Sequence, residues 1–407
     1  MDIQTEWNVK GAEYAQAVNK MVEFGEQFGW ENWKGEEPID DRIHLADSVL
    51  EKLREANKTN EIKVFRNLYP PSHAPFAEKL NANGQFIGNL CYVSDDTIAL
   101  VIGASYQEKK AFVLENYKVE QLPENIIAIG KSPQGNCFAI ATDENIITYS
   151  GWQGVELFKF EYPGNEKLPI TQLLPYNDGS KVLLVSSEGI FCLSQNGSEL
   201  IHPVKDVTDE EWTSSIDMEH AALSPDNKLV CVGDQCSNHR ILDNYFTEIG
   251  DIYPESSYPH FTLFSKDGTH LIMNACHFYN GTTIGVLVED VADLSDDDER
   301  KTIIDDECRV YSGVAVENYY ILGDAYGYIR AFDKAGNKLW RHFLGSTISG
   351  MTVSDDESTL FVGTYAGILH KIKLGKEIRD NHTISNGNNF EEFRILFWKD
   401  EKQPLIW

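Results

Sequence analysis

Ser224-Pro225-Asp226-Asn227-Lys228-Leu229-Val230 forms a polar turn before a hydrophobic run, and Phe264-Ser265-Lys266-Asp267-Gly268-Thr269-His270-Leu271 repeats this phrase. Seven versions of the turn recur along the 407 residues, with markers at Asp96, Gln134, Asp178, Asp226, Asp267, Asn318 and Asp356. The steps between markers are 38, 44, 48, 41, 51 and 38 residues. A period near forty, with about four short strands per unit, is typical of β-propeller blades, which bury their faces only against neighbouring blades.

The repeats predict an all-β fold, a seven-bladed β-propeller over residues 81–407 with a small N-terminal helical extension over residues 1–80. Within the extension, apolar residues at helical spacing predict helices over Gly11–Trp30 and Asp41–Asn57. The short apolar segment Ile62–Phe65 is predicted to be a strand.

The last blade lacks an outermost strand in its own repeat, and two segments can supply it. Phe393–Trp398 follows the polar spacer Asp380–Asn389, whereas Ile62–Phe65 lies on the N-terminal side. Either strand would close the ring and remove an exposed edge. We favour the C-terminal candidate, because the blade is then built from consecutive chain. The apolar segment Pro404–Trp407 is expected to dock on the fold, since a buried Trp removes a large apolar surface from water.

The charge balance narrows the classes of partner. Lys and Arg total 35 and Asp and Glu total 64, which gives a net charge of −29. Nucleic acids and anionic membranes both attract basic surfaces, so we expect neither as a partner. The acidity favours solubility and the attraction of a basic protein. No run of 18 apolar residues occurs, and Met1–Glu6 has no basic segment before an apolar core, so neither a membrane span nor a secretory signal is expected.

Seven cysteines lie mostly in apolar strand runs: Cys91, Cys137, Cys192, Cys231, Cys236, Cys276 and Cys308. Their odd number and surroundings indicate reduced, buried thiols in a cytoplasmic protein. Cys236, His239, Cys276 and His277 fall on matching loops of adjacent blades and carry side chains that zinc prefers. Their spacing is not that of a recognised zinc site, so no metal is predicted, and zinc binding by these four residues stays an open alternative.

The phrases at Ser224–Val230 and Phe264–Leu271 resemble those of WD-repeat propellers. The Gly-His pair of that family is missing, and its Trp-Asp pair stands here as Phe332-Asp333 and Leu242-Asp243. Ala331–Trp340 is similar to the repeat of quinoprotein-type propellers, in which Asp and Gly make a turn and Trp lies between blades. The resemblance implies the fold and says little about function, because this scaffold hosts many roles.

In a blade of this kind, the loop between the second and third strands opens on the same face as the loop entering the next blade. Loop residues predicted to bind a partner protein are Tyr106, Glu144, Trp152, Glu188, Trp212, His239, Tyr279, Tyr326 and Tyr365. Aromatic side chains beside acids are typical of protein-binding faces. The acidic run Asp293–Glu299 lacks the alternating oxygens of a calcium loop and is expected to be a solvated insertion.

These observations favour a non-catalytic propeller that binds another protein through its loop face, without a cofactor. The net charge favours a basic protein as that partner. We find neither a nucleophile elbow nor a phosphate-binding loop. Two alternatives stay open. One is an immunity-type protein that neutralises a basic toxin domain. The other is an enzyme acting on a sugar or small metabolite in the central pocket, with scattered candidates at His220, His239, His277, Arg240 and Arg330.

Overall fold

Seven antiparallel sheets form a ring, which confirms the predicted seven-bladed β-propeller. The computed structural model describes residues 1–165, 167–296, 298–375 and 379–407. Each blade is built from consecutive strands, and each strand pairs with the next along the chain. The first strands of the blades lie innermost, because they are the ones that contact their counterparts in adjacent blades.

The strands of the first four blades are as follows. They are β1 (Ile87–Ser94), β2 (Thr97–Ile102), β3 (Lys110–Glu115) and β4 (Lys118–Gln121); β5 (Ile126–Lys131), β6 (Phe138–Thr142), β7 (Ile146–Tyr149) and β8 (Glu156–Phe160); β9 (Ile170–Pro175), β10 (Lys181–Ser186), β11 (Gly189–Ser194) and β12 (Gly197–His202); and β13 (His220–Leu223), β14 (Leu229–Gly233), β15 (His239–Asp243) and β16 (Glu248–Ile252).

The strands of the last three blades complete the ring. They are β17 (Tyr258–Phe264), β18 (His270–His277), β19 (Asn280–Leu287) and β20 (Thr302–Asp305); β21 (Val310–Ala315), β22 (Tyr319–Asp324), β23 (Tyr328–Asp333) and β24 (Lys338–Phe343); and β25 (Ile348–Val353), β26 (Thr359–Thr364), β27 (Ile368–Lys373), β28 (Phe390–Leu396) and β29 (Leu405–Ile406).

The repeated turn joins the first and second strands of every blade. In several blades, the hydroxyl of a buried serine stabilises this turn by hydrogen bonds. In the fifth blade, the Ser265 hydroxyl donates to Asp267 Oδ1 at 2.6 Å and accepts the His270 N–H at 2.9 Å. Ser265 is fully buried. Ser224 and Ser354 make the same pair of hydrogen bonds in their own turns. A short polar phrase thus specifies where one strand ends and the next begins.

The hydrophobic cores lie between blades. In the second and third blades, for example, Ala139 and Ile146 share one core with Leu173 and Val182. A comparable core covers each of the other interfaces among the described residues. Each blade therefore depends on two neighbours to remove its apolar surface from water.

The ring closes where the seventh blade meets the first. Ile87 of β1 shares a core with Phe361 and Leu369, and the Ser349 hydroxyl donates to the Ile87 carbonyl oxygen at 2.7 Å. Gly363 permits this close contact, since a Cβ there would lie 2.6 Å from the same carbonyl oxygen. The favoured C-terminal segment supplies the fourth strand of the seventh blade, β28, which pairs with β27. The short strand β29 then pairs with the outer side of β28.

The N-terminal residues form α1 (Ile3–Phe28), α2 (Ala46–Thr59), α3 (Ile62–Leu68) and α4 (Ala77–Asn83). Short 3₁₀ helices lie at Trp30–Asn32, Asp41–Leu45, Ala74–Phe76, Pro163–Asn165 and Val288–Asp293. The first helix begins earlier than predicted, because the Asp2 carboxylate accepts the Thr5 N–H at 3.0 Å and caps it. The second begins later, after a 3₁₀ turn in which Asp40 accepts the Arg42 N–H at 3.3 Å.

The prediction of a strand over Ile62–Phe65 is wrong, because this segment lies in α3. Helical spacing brings Phe65 onto Tyr69, with ring centroids 5.1 Å apart. The same spacing lets Arg66 reach β28, where its Nη2 donates to the Glu391 carbonyl oxygen at 2.6 Å. Long-range contacts of the helix with the closed seventh blade therefore override the β propensity of the short apolar run.

The C-terminal segment docks as expected. Trp407 is almost completely buried, and its indole Nε1 donates to the Tyr69 carbonyl oxygen at 2.7 Å. Its ring lies 5.4 Å from Phe76 in an edge-on arrangement and 6.3 Å from Trp7. Asn57 of α2 binds both the N–H and the carbonyl of Ile406. The segment thus fastens the helices to the outer edge of the seventh blade.

Replacing Trp407 by Ala should lower the free energy of unfolding by about 3–5 kcal/mol, because it opens a cavity in the core shared by helices and blade. Trp30→Ala is the matched control, since Trp30 is half exposed, and it should cost clearly less. Urea denaturation followed by fluorescence and circular dichroism measures both. Equal losses for the two variants would show that Trp407 does not anchor the helices.

Candidate functional site

The topology brings one set of loops to a single edge of the ring. Within an antiparallel blade, the turn between the second and third strands lies at the same end as the start of the first strand. We call this edge the loop face. Tyr106, Tyr279, Tyr326 and Tyr365 lie on the second-to-third turns of the first, fifth, sixth and seventh blades. All four are exposed, from 45% for Tyr365 to 86% for Tyr106.

Aromatic contacts connect some of these turns to each other and to the starts of first strands. Tyr365 lies 4.8 Å from Phe86 and 5.5 Å from Tyr311, measured between ring centroids. Tyr311 in turn lies 4.9 Å from the imidazole of His260. These contacts link the first, fifth, sixth and seventh blades. We define the aromatic arc as Phe86, Tyr106, Tyr258, Phe278, Tyr279, Tyr311, Tyr326 and Tyr365.

The fifth and sixth blades contribute the most exposed part of the arc. Tyr279 lies 6.0 Å from Tyr326, whose hydroxyl donates to Asn280 Oδ1 at 2.9 Å. Phe278 is 75% exposed and lies 4.7 Å from the His277 ring. An apolar ring of this exposure on a turn is available to a binding partner.

Arg309 lies within the arc. Its guanidinium stands 4.4 Å above the Tyr311 ring, and Nη2 lies 3.3 Å from His260 Nδ1. Its buried Nε has no hydrogen-bond partner among the described residues. Burial and the nearby Arg309 charge hold the pKa of His260 well below its usual range. The half-buried guanidinium therefore faces a neutral imidazole and keeps hydrogen-bonding capacity for a ligand.

The other predicted residues lie in different surroundings. Glu144 and Glu188 are exposed on second-to-third turns of the loop face, and Trp212 lies half-buried in the connection from β12 to β13. Trp152, in contrast, lies on the turn between β7 and β8, at the opposite edge of the ring. It is half-buried there, with its ring 5.5 Å from Phe138. Packing on its own blade explains why this Trp departs from the predicted exposed loop.

His239 is corrected from a loop tip to a buried strand residue. It is the first residue of β15 and is 1% exposed. The His220 Nδ1–H donates to the Met218 carbonyl at 3.0 Å, so its Nε2 accepts from His239 Nδ1–H at 3.1 Å. This pattern requires a neutral His220 ring, and burial lowers the pKa of His220 to about 4. Burial also holds the pKa of His239 well below its usual range.

A second buried pair, His202 and Asp234, lies nearby between the third and fourth blades. His202 Nε2 donates to Asp234 Oδ2 at 2.6 Å, while Arg240 Nη1 donates to His202 Nδ1 at 3.2 Å. Burial opposes ionisation of Asp234, but the hydrogen bond from His202 lowers its pKa. Three of the residues named for a central enzyme site, His220, His239 and Arg240, thus belong to one blade. Only the two histidines contact each other, whereas Arg240 contacts His202 and Glu248.

The remaining two enzyme candidates lie in other blades. His277 is exposed at the end of β18, where its ring is stacked 6.4 Å from Tyr258. Arg330 of β23 donates to Asp324 at 2.7 Å and to Glu307 at 2.5 Å. Burial raises the pKa of Asp324 although Arg330 opposes the shift. These contacts make Arg330 a structural partner of the buried Asp324 in the sixth blade and of the exposed Glu307 in the connection before that blade.

All seven cysteines are free, and all but Cys236 are buried. Outside residues 166, 297 and 376–378, no group of three or more His, Cys, Asp or Glu residues could hold a metal ion. The acidic insertion after β19 is partly neutralised, since Arg300 pairs with Asp290 at 3.0 Å and with Asp298 at 2.7 Å. Asp297, named in the predicted acidic run, lies outside the described residues.

The loop face contains residues that the sequence prediction missed. Phe86, Tyr258 and His260 lie just before or at the start of first strands, as do Arg309 and Tyr311. Because every first strand begins at the same edge as the second-to-third turns, the residue types at strand starts were the signal that could have found them.

No protein-family model matches this chain, and no curated protein matches it. Among solved structures, the chain is similar to hydrazine synthase of Kuenenia stuttgartiensis, with 13% sequence identity and a TM-score of 0.44. The match covers 61% of this chain and 76% of that chain. A likeness at this level carries no functional argument. None of the described helices is both long and apolar enough to cross a bilayer.

The buried histidines of the fourth blade predict acid sensitivity. The unfolded chain binds a proton near pH 6.5, whereas folded His220 binds it only near pH 4, so the free energy of unfolding should fall between those values as pH decreases. Each unit of pKa difference corresponds to about 1.4 kcal/mol. Urea denaturation at pH 7 and pH 5 should show a smaller pH effect for His220→Gln than for the wild type or Tyr106→Phe. An unchanged pH effect in His220→Gln would contradict the assignment.

Proposed function

We propose that this chain is a non-catalytic protein-interaction propeller that binds a partner protein through the aromatic arc of its loop face. The observation that carries the proposal is the arc itself, in which ring contacts run from Phe86 through Tyr365 to Tyr311 and on to His260, across four blades. The exposed rings of Tyr279 and Tyr326 form a second contact, between the fifth and sixth blades. Large aromatic side chains on a rigid scaffold provide binding area at low entropic cost.

Arg309 supports the same proposal. Arginine is frequent among residues that dominate binding energy, particularly where aromatic neighbours exclude water. The Tyr311 ring covers one face of its guanidinium, and Arg309 as a whole is only half-buried, so the guanidinium can donate to a carbonyl or carboxylate of the partner.

The charge of the chain favours a basic partner. A net charge of −29 attracts a cationic protein over distances comparable to the Debye length and accelerates association. An immunity-type protein that neutralises a basic toxin domain is therefore the second candidate. The resemblance to WD-repeat propellers is consistent with a binding role and is supported by the Ser-x-Asp turns. Free, buried thiols support a cytoplasmic location.

A double substitution of Tyr279 and Tyr326 by Ala should weaken partner binding about ten- to hundredfold, because it removes two neighbouring anchors of the arc. Tyr245→Ala is the matched control: Tyr245 is 81% exposed but lies on the opposite edge, between β15 and β16. Affinity purification with crosslinking from the native cell, followed by quantitative binding of the captured protein, compares the three forms.

Retention of the same partner by the double variant, together with its loss in Tyr245→Ala, would contradict the proposed face. The immunity candidate is tested in cells that express a cationic toxin. Co-expression of the wild type or of Tyr245→Ala should restore their growth, whereas co-expression of the double variant should not. The rate at which the wild type associates with the toxin should fall steeply with added salt. Growth that is not restored by any form removes that candidate and leaves the general binding role to the capture experiment.

A further inference from the structure

A second region, outside the aromatic arc, contains a small polar cavity. It has a volume of about 70 Å³ and lies where α1, α3 and the spacer after β27 meet the outer strands of the sixth and seventh blades. Arg66 of α3, His342 of β24, and Glu391 and Arg394 of β28 line it. The cavity thus separates the helical extension from the propeller at a point where both contribute charged side chains.

Two arginines of this cavity share one carboxylate. Glu391 accepts from Arg394 Nε at 2.9 Å and Nη2 at 3.0 Å, and from Arg66 Nη2 at 3.0 Å. Burial opposes ionisation of Glu391, but the two guanidinium groups hold its pKa well below the usual range. The trio therefore carries one positive charge more than its carboxylate balances.

The other charged residues that line the cavity do not neutralise the excess positive charge of Arg66, Arg394 and Glu391. Arg42 is paired with Asp40 at 2.6 Å, and both side chains are buried. Asp380 also lines the cavity, but it is exposed to solvent, and its Oδ1 already accepts from His382 N at 2.8 Å and Thr383 Oγ1 at 2.9 Å. Water screens such an exposed carboxylate from the buried guanidinium groups.

Polar nitrogens around the cavity lack partners. Arg394 is 8% exposed, and its Nη1 makes no hydrogen bond with any described residue. His342 is 3% exposed, and its Nδ1 is likewise unpartnered. The same holds for two further ring nitrogens of residues that line the cavity, His73 Nδ1 and His382 Nδ1. Native proteins seldom leave buried donors unpaired, so this concentration points to a missing acceptor.

We propose that this cavity binds a small oxyanion, a phosphate or a carboxylate, whose oxygens accept hydrogen bonds from Arg394 Nη1 and the surrounding imidazoles. The Arg guanidinium donates only and matches such oxygens well. A cavity of about 70 Å³ accommodates an ion of that size together with little water, whereas a nucleotide is too large.

The imidazoles fit the role of neutral donors. Burial, reinforced by the nearby charges of Arg394 and His370, lowers the pKa of His73 to about 3. Burial likewise lowers the pKa of His342 to about 4. Each neutral ring can donate one N–H, and the arginines provide the charge that an anion neutralises. A bound anion would also tie α1 and α3 to β28, so it should stabilise the whole fold.

The test measures binding of inorganic phosphate and of acetate to the full chain, with sodium chloride at equal ionic strength as the reference. Equilibrium dialysis with labelled ions gives stoichiometry and Kd, and thermal unfolding reports the accompanying rise in Tm. We expect one saturable site per chain and a Tm that rises with ion concentration beyond the chloride reference.

Two variants localise the site. Arg394→Lys keeps the positive charge but removes Nη1, and His342→Phe keeps the ring but removes Nδ1. Each should weaken ion binding roughly tenfold, the loss expected for one charge-assisted hydrogen bond. The matched controls are Arg300→Lys, in the exposed acidic insertion, and His277→Phe, on the loop face, and both should bind like the wild type.

Saturable binding of either ion supports the proposal, and the ratio of the two affinities identifies phosphate or carboxylate as the preferred chemistry. The proposal is overturned if neither phosphate nor acetate shows saturable binding and neither raises Tm above its value in sodium chloride at equal ionic strength. It is also overturned if Arg394→Lys and His342→Phe both bind with wild-type affinity. Should Arg394→Lys fail to fold, His342→Phe decides the question by itself.

Discussion

Closure of the ring is the constraint on which the rest of this structure depends. No blade has a core of its own, since its apolar side chains are covered by the blades on either side. The contact of the seventh blade with the first, through Ile87, Phe361 and Ser349, therefore completes the burial of both. A break at this interface would expose two faces at once, because the cores of the ring are shared between neighbours.

The helical extension also covers apolar surface of the propeller, at the seventh blade. The chain adds β28 to the seventh blade, continues into the short strand β29 and ends in Trp407, which lies among rings of the helices. Arg66 crosses from α3 to β28, where it binds the backbone and side chain of Glu391. The outer edge of this blade is thereby covered, and the polar cavity lies in the seam that this arrangement creates.

The loop face arises from a different property of the topology. Antiparallel strands return the second-to-third turns and the starts of first strands to the same edge, so residues distant in sequence become neighbours. Tyr365 and Phe86 are the clearest case, because they come from the last and the first blade and touch only after the ring has closed. The aromatic arc is thus a product of closure.

The amino-acid sequence by itself determined the number of blades and the places where their strands turn. The turns are local features, because Ser265, Asp267 and His270 form their hydrogen bonds within six residues. The number of blades follows from how often the turn recurs along the chain. The exposed tyrosines at positions 106, 279, 326 and 365 were accessible to the same reasoning, because a turn between two predicted strands can be located without a fold.

Tertiary structure decided what depends on distant partners. Ile62–Phe65 became helical through contacts of its helix with Trp407 and Glu391, more than 300 residues away. His239 was withdrawn from the surface by its hydrogen bond with His220, and Arg309 acquired its aromatic surroundings from first strands of different blades. Local propensity is fixed by adjacent residues, whereas burial and the meeting of side chains are fixed only when the ring has closed.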